Sequence, residues 1–95
     1  MSAYMVFTRE KMIDEGEMAI YSKEVGATMA GHPGKVLAAY GAHEDVEGEA
    51  NEGTVILEFP NMEEAKAWYD SAEYRRVREH RFKGAKYRAT LVAGV

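Results

Sequence analysis

The chain contains no cysteine, so it can form no disulfide and offers no thiolate as nucleophile or metal ligand. Any redox chemistry would therefore require a bound cofactor. No stretch approaches the roughly 18–20 apolar residues that a membrane helix needs. The opening residues, MSAYMVFTREK, also lack the basic-then-apolar order and small-residue cleavage site of a secretory leader. A soluble, cytoplasmic protein with no membrane association is the expectation. Basic charge is the minority: 12 Lys and Arg against 16 Asp and Glu give a net charge of -4, which argues against general nucleic-acid binding. Histidine is sparse and scattered, and no two of His32, His43 and His80 have the four-residue spacing of a helical metal pair. No motif requires a metal or a cofactor.

What is present is enough for one core. A chain of 95 residues, 46% hydrophobic, is expected to form a single domain over residues 1–95, small enough that a partner subunit would help to bury its surface. Its charges are unevenly sorted. Residues 73–88 hold seven Lys or Arg and two acids, net +5, whereas Glu44, Asp45, Glu47, Glu49 and Glu52 crowd one acidic segment. The two poles are candidates to pair with each other.

Periodicity and punctuation give the elements. Ala3–Arg9 is short and rich in aromatic and β-branched residues, which suits a strand. Asp14 with Glu17 resembles a helix cap and its third-position acid, followed by an apolar face of Met18, Tyr21, Val25 and Met29, with Gly31 and Pro33 as the stop. Val36–Ala42 and Thr54–Phe59 read as strands joined by the polar segment HEDVEGEANEG. Asn61 caps a second helix with Met62, Ala65, Trp68, Tyr69 and Ala72 on its buried stripe. Asp70-Ser71 can act as a fresh cap, so Glu73–Lys83 is expected to be a separate helical piece, followed by a strand at Tyr87–Val92.

The order β-α-β-β-α-β is that of the ferredoxin-like α+β fold, a four-stranded antiparallel sheet with both helices on one face. The strands are apolar on both alternating sets: Met5 and Phe7 against Tyr4 and Val6, and Val55, Leu57 and Phe59 against Ile56. A sheet with one solvated face would alternate cleanly. The open face is therefore expected to be covered by a second copy, giving a homodimer with the two sheets face to face.

The run VILEFPNMEEAKAWYDSAEYRRVREHR, with the earlier GKVLAAYGAHEDVEG and the closing LVAGV, resembles the small bacterial family known as domain of unknown function 1330. The most specific part is Glu58-Phe59-Pro60 followed by Ala65, Trp68, Tyr69, Ser71 and Tyr74, with Arg81 at a family arginine; Gly34, Gly41, Glu47 and Gly48 also match. Pro33-Gly34 stands where the family often has a glycine pair, and Tyr40 where a basic residue is more usual. The resemblance implies a dimeric α/β barrel of the ferredoxin-like type. It implies no activity, although some dimeric-barrel proteins are monooxygenases or haem-degrading enzymes with His and Trp in a cleft.

Candidate site residues gather around AWYDSAEYRRVREHR, residues 67–81, which holds three aromatic rings, four arginines and a histidine. Trp68 and Tyr69 point about 100° apart on a helix, so one should enter the core and the other line the junction with the next helical piece. Tyr74, Arg78 and Arg81 share a helix face on which forked guanidinium donors could hold a carboxylate. Those arginines could equally pair with the acidic segment or stay hydrated. Ser71 reads as a helix cap, since no neighbour supplies the base that a nucleophilic serine requires. Tyr40 sits among small residues that leave room for a cavity with its hydroxyl as a polar handle. His80 and His43, which titrate near neutrality, and Glu58, on an apolar strand, are weak candidates for an acid–base group.

Two functions fit these residues. One is a homodimer that binds a small organic ligand, an acid being one class that suits the arginines, in a pocket lined by Tyr40, Trp68, Tyr69, Tyr74, Arg78 and Arg81. The other is a monooxygenase-like or haem-degrading-like enzyme using His80, His43 or Glu58.

Overall fold

In a computed structural model describing Met1 to Val95, the chain runs β1 (Ala3–Met12), α1 (Glu15–Glu24), a 3₁₀ turn (Gly26–Met29), β2 (Lys35–Ala39), β3 (Gly53–Phe59), α2 (Met62–Tyr69), α3 (Ala72–Gly84) and β4 (Ala85–Ala93). The four strands form one antiparallel sheet in the order β2-β3-β1-β4. This is the ferredoxin-like α+β arrangement, with α2 and α3 together filling the place of the second helix.

The register divides each strand between two environments. Ala3, Met5 and Phe7 lie opposite Phe59, Leu57 and Val55 on β3, and opposite Ala93, Leu91 and Ala89 on β4. This face meets the helices, and Met5, Phe7, Leu57 and Phe59 join Met18, Trp68, Tyr74 and Val77 in a continuous core. Each such large apolar side chain, fully buried, contributes roughly 1.5–3 kcal/mol. The alternate residues, Tyr4, Val6 and Thr8 opposite Glu58, Ile56 and Thr54, with Thr90 and Val92 beyond, occupy the face without helices. Tyr4, Val6 and Ile56 are half-buried there and Val92 is exposed.

The caps are made by the side chains that the sequence suggests. Asp14 Oδ1 accepts from the N–H of Gly16 (2.9 Å) and Glu17 (3.2 Å), and Asn61 Oδ1 accepts from Glu64 N–H (2.8 Å). Glu17 does not close the reciprocal arm of a capping box; its carboxylate goes to His80 on α3 instead. The break between α2 and α3 is built on Ser71. Its Oγ donates to the carbonyl of Trp68 (2.7 Å) and accepts from Tyr74 N–H (3.3 Å), so one hydroxyl ends one helix and begins the next.

Three expectations are corrected. The apolar face of α1 does not continue as one α-helix to Met29: the α-helix ends at Glu24 and the chain tightens into the 3₁₀ turn, with Gly26 just past the break and Thr28 Oγ1 bonding back to Val25 O (2.6 Å). β2 stops at Ala39 rather than Ala42, because Tyr40 adopts the left-handed conformation, φ 54°. The acidic segment does not clasp the basic helix. Glu52 pairs with Arg9 on β1 (3.2 Å) and accepts from Met12 N–H (2.7 Å), and Asp45, Glu47 and Glu49 border a groove shared with Arg88. The β2–β3 hairpin leaves the sheet beside these strands, whereas Arg75 and Arg76 are exposed on α3 in the helical layer and form no ion pair.

Candidate functional site

Between the sheet and the helices lies a cavity of about 160 Å³. Its walls are aromatic: Phe7 from β1, Tyr21 from α1, Tyr40 after β2, Trp68 from α2 and Tyr87 from β4. Aliphatic side chains complete it, with Val25 and Met29 on one side and Val36, Val55 and Leu57 on the other. Gly26, Val36, Ala39 and Tyr40 are the exposed lining residues, so the mouth opens between the end of α1 and the edge strand β2. Eleven of the thirteen lining residues are hydrophobic, and Arg81 is the one that carries a charge.

Arg81 is the only buried charged residue of the chain, 4% exposed. Its guanidinium carbon lies 5.1 Å from the ring centres of Phe7, Phe82 and Tyr87. No carboxylate pairs with it, and its Nε and Nη2 have no hydrogen-bond partner. Those two nitrogens form one edge of the guanidinium plane, and the packing around them seals that edge from the cavity. A guanidinium cannot discharge itself by losing its proton, so a cation is held here without an anion.

Around it stand two pairs of phenols. Tyr21 and Tyr74 hydroxyls are 2.8 Å apart in the core, and those of Tyr40 and Tyr87 bond to each other at the mouth. Each pair holds two hydroxyl hydrogens and uses one internally, which leaves one donor per pair for a further acceptor. Burial raises the pKa of Tyr21 above the usual phenol range, with Tyr74 adding to the effect. Burial also raises Tyr74, against the opposing pull of Arg81, and raises Tyr87, which is further held protonated by its bond to Tyr40. These three phenols are neutral donors at physiological pH.

Tyr40 reaches this position by unusual means. Its left-handed backbone turns the ring back over the sheet, Arg9 lies over the ring at 4.9 Å, and the ring rests against Gly53. A Cβ at Gly53 would lie 2.5 Å from Tyr40 Cδ1, so glycine is required for this approach.

The residues singled out from sequence are distributed as follows. Trp68, Arg81 and Tyr40 line the cavity; Trp68 is in the core, stacked on Phe59 and donating its indole N–H to Thr28 Oγ1 (3.0 Å). Tyr74 lies one step behind, against the Trp68 ring (4.1 Å) and bonded to Tyr21. Tyr69 and Arg78 are outside the cavity and engage each other at the helix junction, with the Arg78 guanidinium 4.6 Å over the Tyr69 ring and Nη1 donating to Tyr69 O (3.1 Å). His80 does not turn toward Trp68; it meets Glu17 at 2.6 Å across α1 and α3. His43 stays in the acidic loop near Asn51 O (3.1 Å) and Asp45 (3.7 Å), and Glu58 accepts from Tyr4 on the helix-free face of the sheet (3.2 Å). No three His, Asp or Glu side chains cluster as a metal site. Tyr21 and Tyr87 are cavity residues that the sequence placed only on the apolar face of a helix and at the start of a strand. The one signal for Tyr21 is a phenol at a core position of an apolar stripe, where a buried hydroxyl demands a partner.

The fold recurs in proteins of different description. The RPA0582 protein of unknown function from Rhodopseudomonas palustris superposes with a TM-score of 0.78 at 16% identity, covering 99% of this chain and 82% of that one. A dimeric ferredoxin-like protein of unknown function from Thermobifida fusca matches with a TM-score of 0.68 at 11% identity over 99% and 92%. SnoaB, a cofactor-independent oxygenase from Streptomyces nogalater, matches with a TM-score of 0.66 at 8% identity over 99% and 93%. No curated protein matches the sequence. The model of the family described as domain of unknown function, DUF1330, matches residues 2–95, and the chain belongs to that family.

Proposed function

We propose that the protein is a cytoplasmic homodimer, each subunit a single domain, that binds a small organic acid in the cavity beneath α1 and α2 with Arg81 as its anion receptor. The observation that carries this reading is the aromatic cavity with Arg81, a buried cation without a carboxylate partner, in its wall. A buried donor without a partner costs free energy, more when it is charged. Such a group is kept at that cost where a ligand supplies the missing half. Trp68 and Tyr40 form walls, while Tyr74, with Tyr21, orients a phenol at the anion. Tyr69 and Arg78 support the site from outside by fixing the α2–α3 junction.

The dimer is proposed through the helix-free sheet face. Tyr4, Val6, Ile56 and Val92 give that face an apolar centre, and the Thermobifida fusca protein of the same fold is described as dimeric. No helix is long and apolar enough to cross a membrane, and a net charge of -4 does not favour nucleic acid as partner.

The enzyme alternative draws on SnoaB, whose fold is shared at 8% identity. His80, His43 and Glu58 lie outside the cavity and could not act on a ligand within it. Chemistry in the cavity would rest on the phenols and Arg81. A haem-degrading reading fits less well, because a porphyrin exceeds a cavity of about 160 Å³ that is lined by no histidine.

A thermal-shift screen of small carboxylates, read with sedimentation velocity, tests the proposal. It predicts a dimer whose melting temperature rises with at least one carboxylate. A stable monomer of 10.6 kDa at micromolar concentration would remove the dimer. A flat response to every carboxylate would remove the binding function.

A further inference from the structure

The walls of the cavity decide what can occupy its depth, whatever head group comes with it. Each polar side chain in the wall spends its polar atoms elsewhere. The Trp68 indole N–H goes to Thr28 Oγ1 (3.0 Å), the Tyr21 hydroxyl meets that of Tyr74 (2.8 Å) and the Tyr40 hydroxyl meets that of Tyr87. Arg81 Nε and Nη2 are sealed in the packing, so this residue lends the cavity only the carbon of its side chain. The surface open to a guest is hydrocarbon throughout.

Such a space holds water poorly, because a buried water needs about two to four polar partners and finds none in these walls. Its size is that of one ring. The volume is about 160 Å³. A dry, apolar cavity of roughly 150 Å³ accommodates benzene. Phe7, Tyr21, Trp68 and Tyr87 offer aromatic faces and edges against which a flat guest packs edge-to-face or offset. Entry requires no unfolding, since Gly26, Val36, Ala39 and Tyr40 at the mouth are exposed. A hydroxyl carried into the depth would lose its water and gain no partner, which costs roughly tenfold or more in affinity, and a charge would cost more.

On the footing that this cavity is the ligand site, and independently of any anion at Arg81, we infer that it binds an uncharged hydrocarbon group of about one six-membered ring through apolar burial alone. Neutral monocyclic hydrocarbons are therefore ligands in their own right. An acid that binds here is held by its hydrocarbon body. The charge of Arg81 reaches its carboxylate as a field through the wall, since attraction between charges needs no contact.

Isothermal titration of the protein with benzene, p-xylene, mesitylene and, under nitrogen, hydroquinone tests this, on the unaltered chain and on Ala39→Phe, which adds a ring at the mouth. Benzene and p-xylene are expected to bind saturably. Hydroquinone should bind at least about tenfold more weakly than its near-isostere p-xylene, because one hydroxyl must enter whichever end leads. Mesitylene, with methyl groups on three sides, should also bind at least about tenfold more weakly than p-xylene, because the ring no longer fits without displacing the walls. A39F should lose benzene by at least about tenfold, its new ring occupying the space. Should it fail to fold, Gly26→Leu, whose new Cβ meets nothing within 4 Å, fills the cavity from the opposite side of the mouth. Absence of saturable benzene and p-xylene binding overturns the inference. So does hydroquinone or mesitylene binding as tightly as p-xylene, or undiminished benzene binding in the filled variant. A carboxylate that raises the melting temperature beside inert hydrocarbons would leave the organic-acid function standing without this inference, and hydrocarbons that bind where no carboxylate does would leave the inference standing without that function.

Discussion

Replacing Arg81 by methionine should leave the ligand-free protein at least as stable as the original, which is the reverse of what removal of a buried side chain usually does. A charged group taken out of water costs several kcal/mol even after relaxation, and no carboxylate offsets that cost here. What opposes the cost is attraction to three aromatic rings, each 5.1 Å from the guanidinium carbon. At about 0.5–1 kcal/mol per contact when exposed and up to about 2 when desolvated, these recover some 2–4 kcal/mol. Methionine retains much of the aliphatic stem, fills irregular apolar space and contacts rings favourably through sulfur. The net expectation is a gain of about 1–2 kcal/mol, or a rise in melting temperature of the order of 5–10 °C for a domain of this size. Thermal and urea unfolding at fixed protomer concentration would measure it, since dimerisation makes the melting temperature concentration-dependent. A loss of more than about 1 kcal/mol in R81M would refute the reasoning. It would mean that Arg81 holds the fold together, and an unpaired cation would no longer point to a ligand.

Ser71→Ala removes the hydroxyl that joins α2 to α3 and should cost about 1–2 kcal/mol in denaturant unfolding, the upper part of the range for a lost cap because the bond to Trp68 O goes with it. Gly53→Ala should displace Tyr40 from the mouth, seen as loss of the rise in melting temperature that a bound carboxylate gives the unaltered protein, because the new methyl would meet the ring 2.5 Å from Cδ1. Reversing Arg75 and Arg76 to glutamate should change stability by no more than about 0.5 kcal/mol at any salt concentration, since neither forms an ion pair; a loss growing at low salt would restore a clasp with the acidic loop. High pH should unfold the protein through its phenols. Tyr21, Tyr74 and Tyr87 have folded pKa values raised by burial, so they stay protonated when the unfolded chain begins to ionise near pH 10, and the folded state binds more protons there. Stability is thus fully present below pH 10 and falls above it, by as much as ~4 kcal/mol per pH unit while all three resist. Tyrosinate absorbance should show three of the six tyrosines ionising only as the protein unfolds.

The sequence carried the architecture because its signals are local. Asp14, Asn61 and Ser71 are residues that compete for backbone N–H groups, and each sits where a helix begins. Period two separated Met5 and Phe7 from Tyr4 and Val6, and because both sets are apolar only the structure shows that the first faces the core. Failures came where long-range geometry decides. The seating of the Tyr40 ring depends on Gly53 thirteen residues later, and nothing near Tyr40 announces it. The sorting of acidic and basic segments suggested that they would pair, but topology puts the loop beside β1 and β4 instead. Within the candidate site, Arg81 was legible as a residue matching a family arginine and as one member of a helix face with Tyr74 and Arg78. The structure separates them: α3 turns Arg81 inward and leaves Arg78 at the junction. Tyr21 and Tyr87 were hidden by their own suitability as core residues, for a phenol reads as apolar until its hydroxyl's partner is known.

A crystal structure of the dimer with a carboxylate that raises its melting temperature is the most direct measurement. The ligand should lie in the cavity, its body between Trp68 and Tyr87 and its carboxylate toward Arg81. The ligand on the outer arginines of α3 with the cavity unchanged, or no ligand at all at saturating concentration, would contradict the assignment of Arg81 as the receptor.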